Sequence, residues 1–174
     1  MEFREMALAE AERIKEIDAT CFIKNVWRNI DGALALTEIN WTDYELPNGL
    51  SWHLKRFKET VGSGGYAVGC FDGGVLVGYG TLNKELFGEK SKYLLLDQLF
   101  VSKDYRNRSI GKQLVALCAE RARFLGADKL YICAGSSEDT IAFYKKVGCV
   151  NAAEVNGELL DADPNDIQLE LRLV

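Results

Sequence analysis

The stretch Tyr93–Val101 (YLLLDQLFV) is apolar at both sets of alternating positions, interrupted only by Asp97 and Gln98. A strand of this kind must be covered on both faces. Upstream of it, Asp31-Gly32 separates Phe22, Val26 and Ile30 from Ala33–Leu36, and Asp72-Gly73-Gly74 separates Tyr66–Phe71 from Val75–Leu82. Such turn residues tolerate positive φ and close hairpins. Downstream, Ile110, Leu114, Leu117, Cys118 and Leu125 recur at helical spacing up to Gly126. Leu130–Ala134 then reads as a buried strand, Asp139–Val147 as a helix ended by Gly148, and Cys149–Val155 as a strand. In the last stretch Ile167, Leu169, Leu171 and Leu173 alternate with polar residues. Phe3–Met6 reads as a short strand, while Ala9–Ile17 and Leu50–Val61 carry helical spacing. Thr37–Gly49 is polar and aromatic, with a turn at Pro47-Asn48-Gly49. Hairpins first and strand–helix alternation later imply an α+β (α/β-like) fold. The expectation is a mixed, mostly antiparallel central sheet with helices on both faces, one domain over 1–174.

Composition narrows the function. With 174 residues, 48% hydrophobic and 27% charged, the chain can bury a sizeable core. Its net charge of −5 disfavours a duplex-coating nucleic-acid binder. No apolar run approaches the roughly 18 residues of a membrane span, and no leader pattern opens the chain. Five cysteines (Cys21, Cys70, Cys118, Cys133, Cys149), an odd number without a CxxC pair, read as buried thiols of a reducing compartment, so a soluble cytoplasmic protein is expected. His53 is the only histidine, which excludes His-rich metal sites. Gly62-Ser63-Gly64-Gly65 follows a helix and precedes a strand, the reverse of a dinucleotide loop.

The chemistry concentrates where the buried strand ends. In Leu99–Lys112, Lys103, Arg106, Arg108 and Lys112 face one acid, Asp104, and small residues stand at Ser109 and Gly111 where a helix begins. Unpartnered amides and the helix dipole favour an anion there, and small residues let a phosphate approach the backbone. Basic side chains and backbone donors on one turn mark a polyanion site.

These residues carry a resemblance. Leu99-Phe100-Val101 followed by Tyr105-Arg106-x-x-Ser109-Ile110-Gly111 resembles the pyrophosphate motif of the GNAT superfamily of acyl-CoA-dependent N-acetyltransferases. Thr140-x-Ala142-Phe143-Tyr144 through Gly148-Cys149 resembles the family's second signature, in family order. The likeness covers Lys92–Val150. Ser109 stands where the family has its first glycine, and Cys149 where it has Phe. The resemblance implies acetyl-CoA as cosubstrate, held by Leu99, Phe100, Val101, Arg106, Asn107, Arg108, Ser109, Ile110, Gly111, Lys112, Ser137 and Phe143. It implies Tyr144 as the acid that protonates the leaving thiolate, and no metal. Asp97, in its apolar run, is the candidate base, directly or through water, because desolvation raises a carboxyl pKa. A base is needed because an alkyl amine has a pKa near ~10. By strand alternation Gln98 points to the opposite face from Asp97.

The expected reaction is direct acetyl transfer to a primary amine, the acceptor being a small molecule or a peptide. Nucleic acid and membrane are not expected partners, and a homodimer is allowed. A non-catalytic acyl-CoA-binding or sensing module, and a different nucleotide-binding α/β protein, stay open at this point. Trp27, Trp41, Trp52 and Tyr44, with Glu38, Asp43 and Glu45, read as core and solvated loop or as an aromatic wall for a cation. His53 reads as a satisfied or surface histidine.

Overall fold

In the computed structural model, which describes residues 1–174, seven strands form one sheet. Their order is β1 (Glu2–Glu5), β4 (Tyr66–Asp72), β5 (Val75–Leu82), β6 (Tyr93–Val101), β7 (Lys129–Ala134), β9 (Ile167–Arg172) and β8 (Val150–Asn151). All neighbours are antiparallel except the β6–β7 pair, so the sheet is mixed and mostly antiparallel. Helix α1 (Leu50–Gly62) and a 3-10 segment, Leu8–Glu16, cover one face, burying Phe57 and Ile14 against Phe71, Leu76 and Tyr79. Helices α2 (Ile110–Phe124) and α3 (Glu138–Lys146) cover the other, where Leu114, Cys118 and Ile141 meet Val77, Leu94, Leu96 and Ile132. The apolar run of β6 thus feeds both cores, as its sequence requires.

The Asp31-Gly32 turn closes a hairpin with φ of 52° and 86°, the values that favour these two residues. Its strands, β2 (Cys21–Ile30) and β3 (Ala33–Asp43), stay outside the main sheet as a separate ribbon. The ribbon docks on the start of α3: the Trp27 amide donates to Ser136 O (2.7 Å) and the Asn25 side chain to Glu138 (2.7 Å). β3 continues into the polar stretch expected as a connection, because a register shift near Asn25 and a positive φ at Asn40 absorb its irregular pattern. The strand expected over Cys149–Val155 shrinks to Val150–Asn151. The Glu154 carboxylate accepts from the amides of Glu89 and Lys90, and Tyr131 Oη accepts from the Asn156 amide at 2.9 Å. Those bonds draw the backbone off the sheet into α4 (Gly157–Ala162), which Asn156 caps through the Leu159 amide.

One irregularity shapes the centre. Thr81 faces Gln98 and Leu82 faces Leu96, so Asp97 is an extra residue in β6, a β-bulge. The expected alternation therefore fails at this point. Asp97 and Gln98 lie on the same face and both meet α1, at Arg56 and His53 respectively. Beyond the bulge, Leu99 and Val101 join the α2 side while Phe100 stacks with Tyr79 at 5.9 Å.

His53 is buried and satisfied at both nitrogens. Gln98 Nε2 donates to Nδ1 (2.8 Å), which leaves Nε2–H to donate to Pro47 O (2.7 Å). The ring thus ties the 47–49 turn and α1 to β6 in its neutral form, and burial holds its pKa below the usual value. Protonation then favours the unfolded chain, so this contribution is full above pH 6.5 and is lost as pH falls below it. In urea titrations the wild type is expected to lose more stability between pH 7.5 and 5.5 than His53→Gln; parallel losses would show that His53 does not carry this term.

Candidate active site

β6 and β7 are paired only from Tyr93↔Lys129 to Leu95↔Tyr131. Past this point the bulge at Asp97 turns β6 away. Residues 96–101 of β6 and 132–134 of β7 then border a gap across which no ladder pairing forms. The side chains of Leu99, Phe100 and Val101 are committed to the two cores, so what the strand offers the gap is its backbone.

At the end of β6 the chain makes a 3-10 turn, Lys103–Tyr105, and enters α2 through Asn107 (φ 60°) and Ser109 (φ 63°). The amides of residues 107–112 donate to no group in the protein. They form a run of aligned donors on the N-terminal end of the α2 dipole. Lys103, Arg108 and Lys112 stand exposed around them. Arg106 differs: its guanidinium donates to the carbonyls of Val101 (3.0 Å), Thr20 (2.8 Å) and Ala19 (3.1 Å). It fixes the loop instead of offering its charge. Gly111 is also explained by packing, since a Cβ there would meet the Phe143 ring at 3.1 Å. Phe143 thus wedges α3 against the start of α2. Ser137 caps α3 through the Thr140 amide at 3.2 Å.

Tyr144 is packed between α2 and the sheet, edge-on to Phe143 at 5.1 Å. Its hydroxyl makes no hydrogen bond within the protein. The sealed side-chain polar atoms without a partner are Tyr79 Oη and Arg121 Nε, so the Tyr144 hydroxyl still reaches open space. Burial pushes its pKa up, with Cys149, Cys118, Asp166 and Cys133 adding to the effect. The phenol therefore stays protonated at neutral pH.

On the α1 face, both oxygens of Asp97 accept from Arg56, one from Nε at 3.1 Å and the other from a terminal guanidinium nitrogen. Arg56 also lies over the Trp52 ring at 5.0 Å. Across the gap, the Cys133 thiol donates to Gln168 Oε1 (3.3 Å), which Tyr131 Oη also engages (2.9 Å). Burial pushes that thiol to about 12, with the charges of Asp166 and Asp97 adding to it, so both carboxylates act on the same strand. Asp166 lies just before β9 and is pushed up to about 6, first by burial and then by Asp163. Cys118 and Cys149, buried in the α2 core, are raised to about 12 and about 11 by burial alone, as inert core thiols are.

The fold therefore sets Phe143 against the start of α2 at Gly111, with Tyr144 packed beside it. Trp41 (60% exposed) and Tyr44 (79% exposed) project into solvent, while Trp27 rests half-buried against the core with Lys145 over its ring. Arg56, Gln168 and Asp166 escaped the sequence reading. Arg56 and Gln168 sit in ordinary amphipathic patterns, and the one signal for Asp166 is that residues 151–171 hold six acids and no lysine or arginine.

The model of the acetyltransferase (GNAT) family matches residues 33–149. No curated protein sequence matches the chain. Among solved structures, nourseothricin acetyltransferase is similar over 99% of this chain and 98% of its own, with TM-score 0.74 and 18% identity. A Bacillus anthracis protein assigned as a streptothricin acetyltransferase, in complex with acetyl coenzyme A, covers 99% and 98% with TM-score 0.70 and 15% identity. The PaiA N-acetyltransferase of Thermoplasma acidophilum, in complex with coenzyme A, covers 98% of each chain with TM-score 0.60 and 18% identity. At these identities the likeness establishes the fold.

Ser109 occupies a left-handed conformation that costs a side-chain-bearing residue about 1–2 kcal/mol, and its hydroxyl makes no capping bond. Part of the gain on substitution is offset by the unfolded-state freedom of glycine. Ser109→Gly is therefore expected to stabilise the protein by about 0.5–1 kcal/mol in chemical denaturation. A loss of stability would mean that the serine side chain supports the loop.

Proposed function

The chain belongs to the acetyltransferase (GNAT) family, and from that premise we propose that it moves an acetyl group from acetyl-CoA to a primary amine by direct attack. The observation that carries the reading is the run of free amides at 107–112 where the open edge of β6 ends, with the Tyr144 hydroxyl on α3 left without a partner. The pyrophosphate of CoA takes those amides, with Arg108 and Lys112 adding charge, while Arg106 and Gly111 hold the loop and its packing. The pantetheine arm lies along the unpaired edge of Leu99–Val101 as an added strand would. That places the thioester between β6 and β7, where a backbone N–H of β6 receives the oxyanion.

The amine loses a proton and its lone pair attacks the thioester carbon. The C–S bond breaks, and Tyr144 gives its proton to the leaving thiolate. The acceptor for the amine proton expected from the sequence is Asp97, or a water it holds. Arg56 occupies a lone pair on each of its oxygens, so the water route leaves that ion pair intact. Both reactants being bound side by side supplies most of the rate. The names of the nourseothricin and streptothricin acetyltransferases support an amine acceptor.

Tyr144→Phe keeps the ring and removes only the hydroxyl, which makes no structural bond. Turnover is expected to fall about 10- to 1000-fold, with acetyl-CoA affinity by calorimetry nearly unchanged. Wild-type turnover in the variant, with chemistry rate-limiting, would remove Tyr144 as the acid. Acetyl-CoA binding by the wild type without CoA release to any amine would favour a sensing module.

A further inference from the structure

Half-buried carboxylates in this protein are compensated, with one exception. Asp97 has Arg56; Glu170 has Lys129 (2.7 Å), Tyr93 Oη (2.7 Å) and the Ala153 amide; Glu16 has Arg13 and the Leu76 amide. The Asp166 carboxylate accepts no hydrogen bond and lies within reach of no cation. Its backbone, in contrast, is fixed: the amide donates to Asp163 O at 3.1 Å and the carbonyl accepts from Gln168 at 3.4 Å. Burying an uncompensated carboxylate is costly, and such a group on a rigid backbone calls for a cation from outside.

Its position fits that need. Ile167 pairs with Ala134, so Asp166 stands one step beyond, opposite Gly135, at the end of β7 from which β6 has separated. α3, which carries Tyr144, starts four residues after Ala134, at Glu138. Gln168, two residues on and on the same strand face, accepts from Cys133, and the charge of Asp166 bears on that thiol, as the charge of Asp97 does, and on the Tyr144 phenol, while Asp163 bears on Asp166. Arg56 is the one cation that bears on the Cys133 thiol, and Asp97 holds it.

We propose that Asp166 is the catalytic base: it pairs with the ammonium of the incoming acceptor and removes its proton, while Asp97 acts with Arg56 as a positioning residue. This deepens the acetyl-transfer reading and rests on it. The ammonium N–H bond breaks and its proton passes to an Asp166 oxygen. The freed lone pair forms the C–N bond, the C–S bond breaks with its electron pair on sulfur, and the Tyr144 proton goes to that sulfur. The surplus proton on the new amide nitrogen restores Tyr144 through solvent, and Asp166 releases its proton to water. One proton is released per acetyl group moved. A pKa pushed up to about 6 suits the task, being high enough to accept a proton and low enough to leave the group charged at neutral pH.

The test is the pH dependence of kcat and kcat/KM from pH 5.5 to 10, with acetyl-CoA and, as probe acceptors, nourseothricin and spermidine, in wild type, Asp166→Asn and Asp166→Glu. At pH 7 Asp166→Asn is expected to lose about 10- to 1000-fold in kcat, with acetyl-CoA affinity within twofold. Only the free amine then reacts, so the deficit should shrink toward the amine pKa near ~10. Asp166→Glu should recover part of the rate at pH 7. Folding is not in question, because replacing an uncompensated carboxylate with a neutral amide should keep or raise the melting temperature at pH 7.5. An Asp166→Asn profile that follows the wild type, or a loss confined to KM, overturns the assignment. If Tyr144→Phe is impaired while Asp166→Asn is not, Asp166 alone is wrong. If the wild type transfers acetyl to neither probe at any pH, the acetyl-transfer reading falls and the assignment with it.

Discussion

One extra residue in β6 governs the arrangement of everything else. A regular strand would keep its ladder with β7 along its length and close the sheet. The bulge at Asp97 breaks that ladder after Leu95↔Tyr131, so the sheet stays continuous at one end and open at the other. It also shifts the alternation by one position. That shift sends Asp97 and Gln98 together toward α1, where the first meets Arg56 and the second fixes the His53 tautomer. The gap, the ion pair on its wall and the seat of α1 all follow from that one residue.

Charge is sorted along the gap. At the open end of β6, amides 107–112 are left over from the start of α2, and basic side chains surround them. At the end of β7 stands an acid with no partner, and no basic residue lies within 151–171. A polyanion at one end and a cation at the other would complement these groups, and in the proposed reaction a thioester and an amine meet between them. Arg106 belongs to the frame, since three backbone carbonyls use its hydrogen bonds. The loop is therefore held in shape before any ligand arrives, which lowers the ordering cost of binding.

The sheet, its helices and the 99–112 loop were legible because each rests on local pattern. Apolar runs fixed β6 and β7, Asp-Gly turns fixed the hairpins, and basic residues beside small ones marked the helix start. The ends of elements were less legible: β8 is short because Glu154 and Asn156 are engaged by distant backbone and by Tyr131. A bulge is a property of two paired strands, so nothing in Tyr93–Val101 alone announces it. The partners of Asp97 and the isolation of Asp166 depend on residues far away in sequence, and Arg56 reads there as one more solvated cation on α1. Gly111 illustrates the converse: the motif marks it for phosphate approach, and in the fold it makes room for Phe143.

The most direct test of the central claim is an amide-resolved NMR titration of the folded protein with coenzyme A. The amides of 107–112 and those of Leu99 and Val101 on the open edge of β6 are expected to move most and to gain protection from exchange, because they are donors left unpaired by the fold, whereas the Phe100 amide is held by Tyr79 on β5. Shifts that leave those amides in place and gather elsewhere, for instance at Ser51, Leu54 and Lys55 in the surface hollow on α1, would contradict the account.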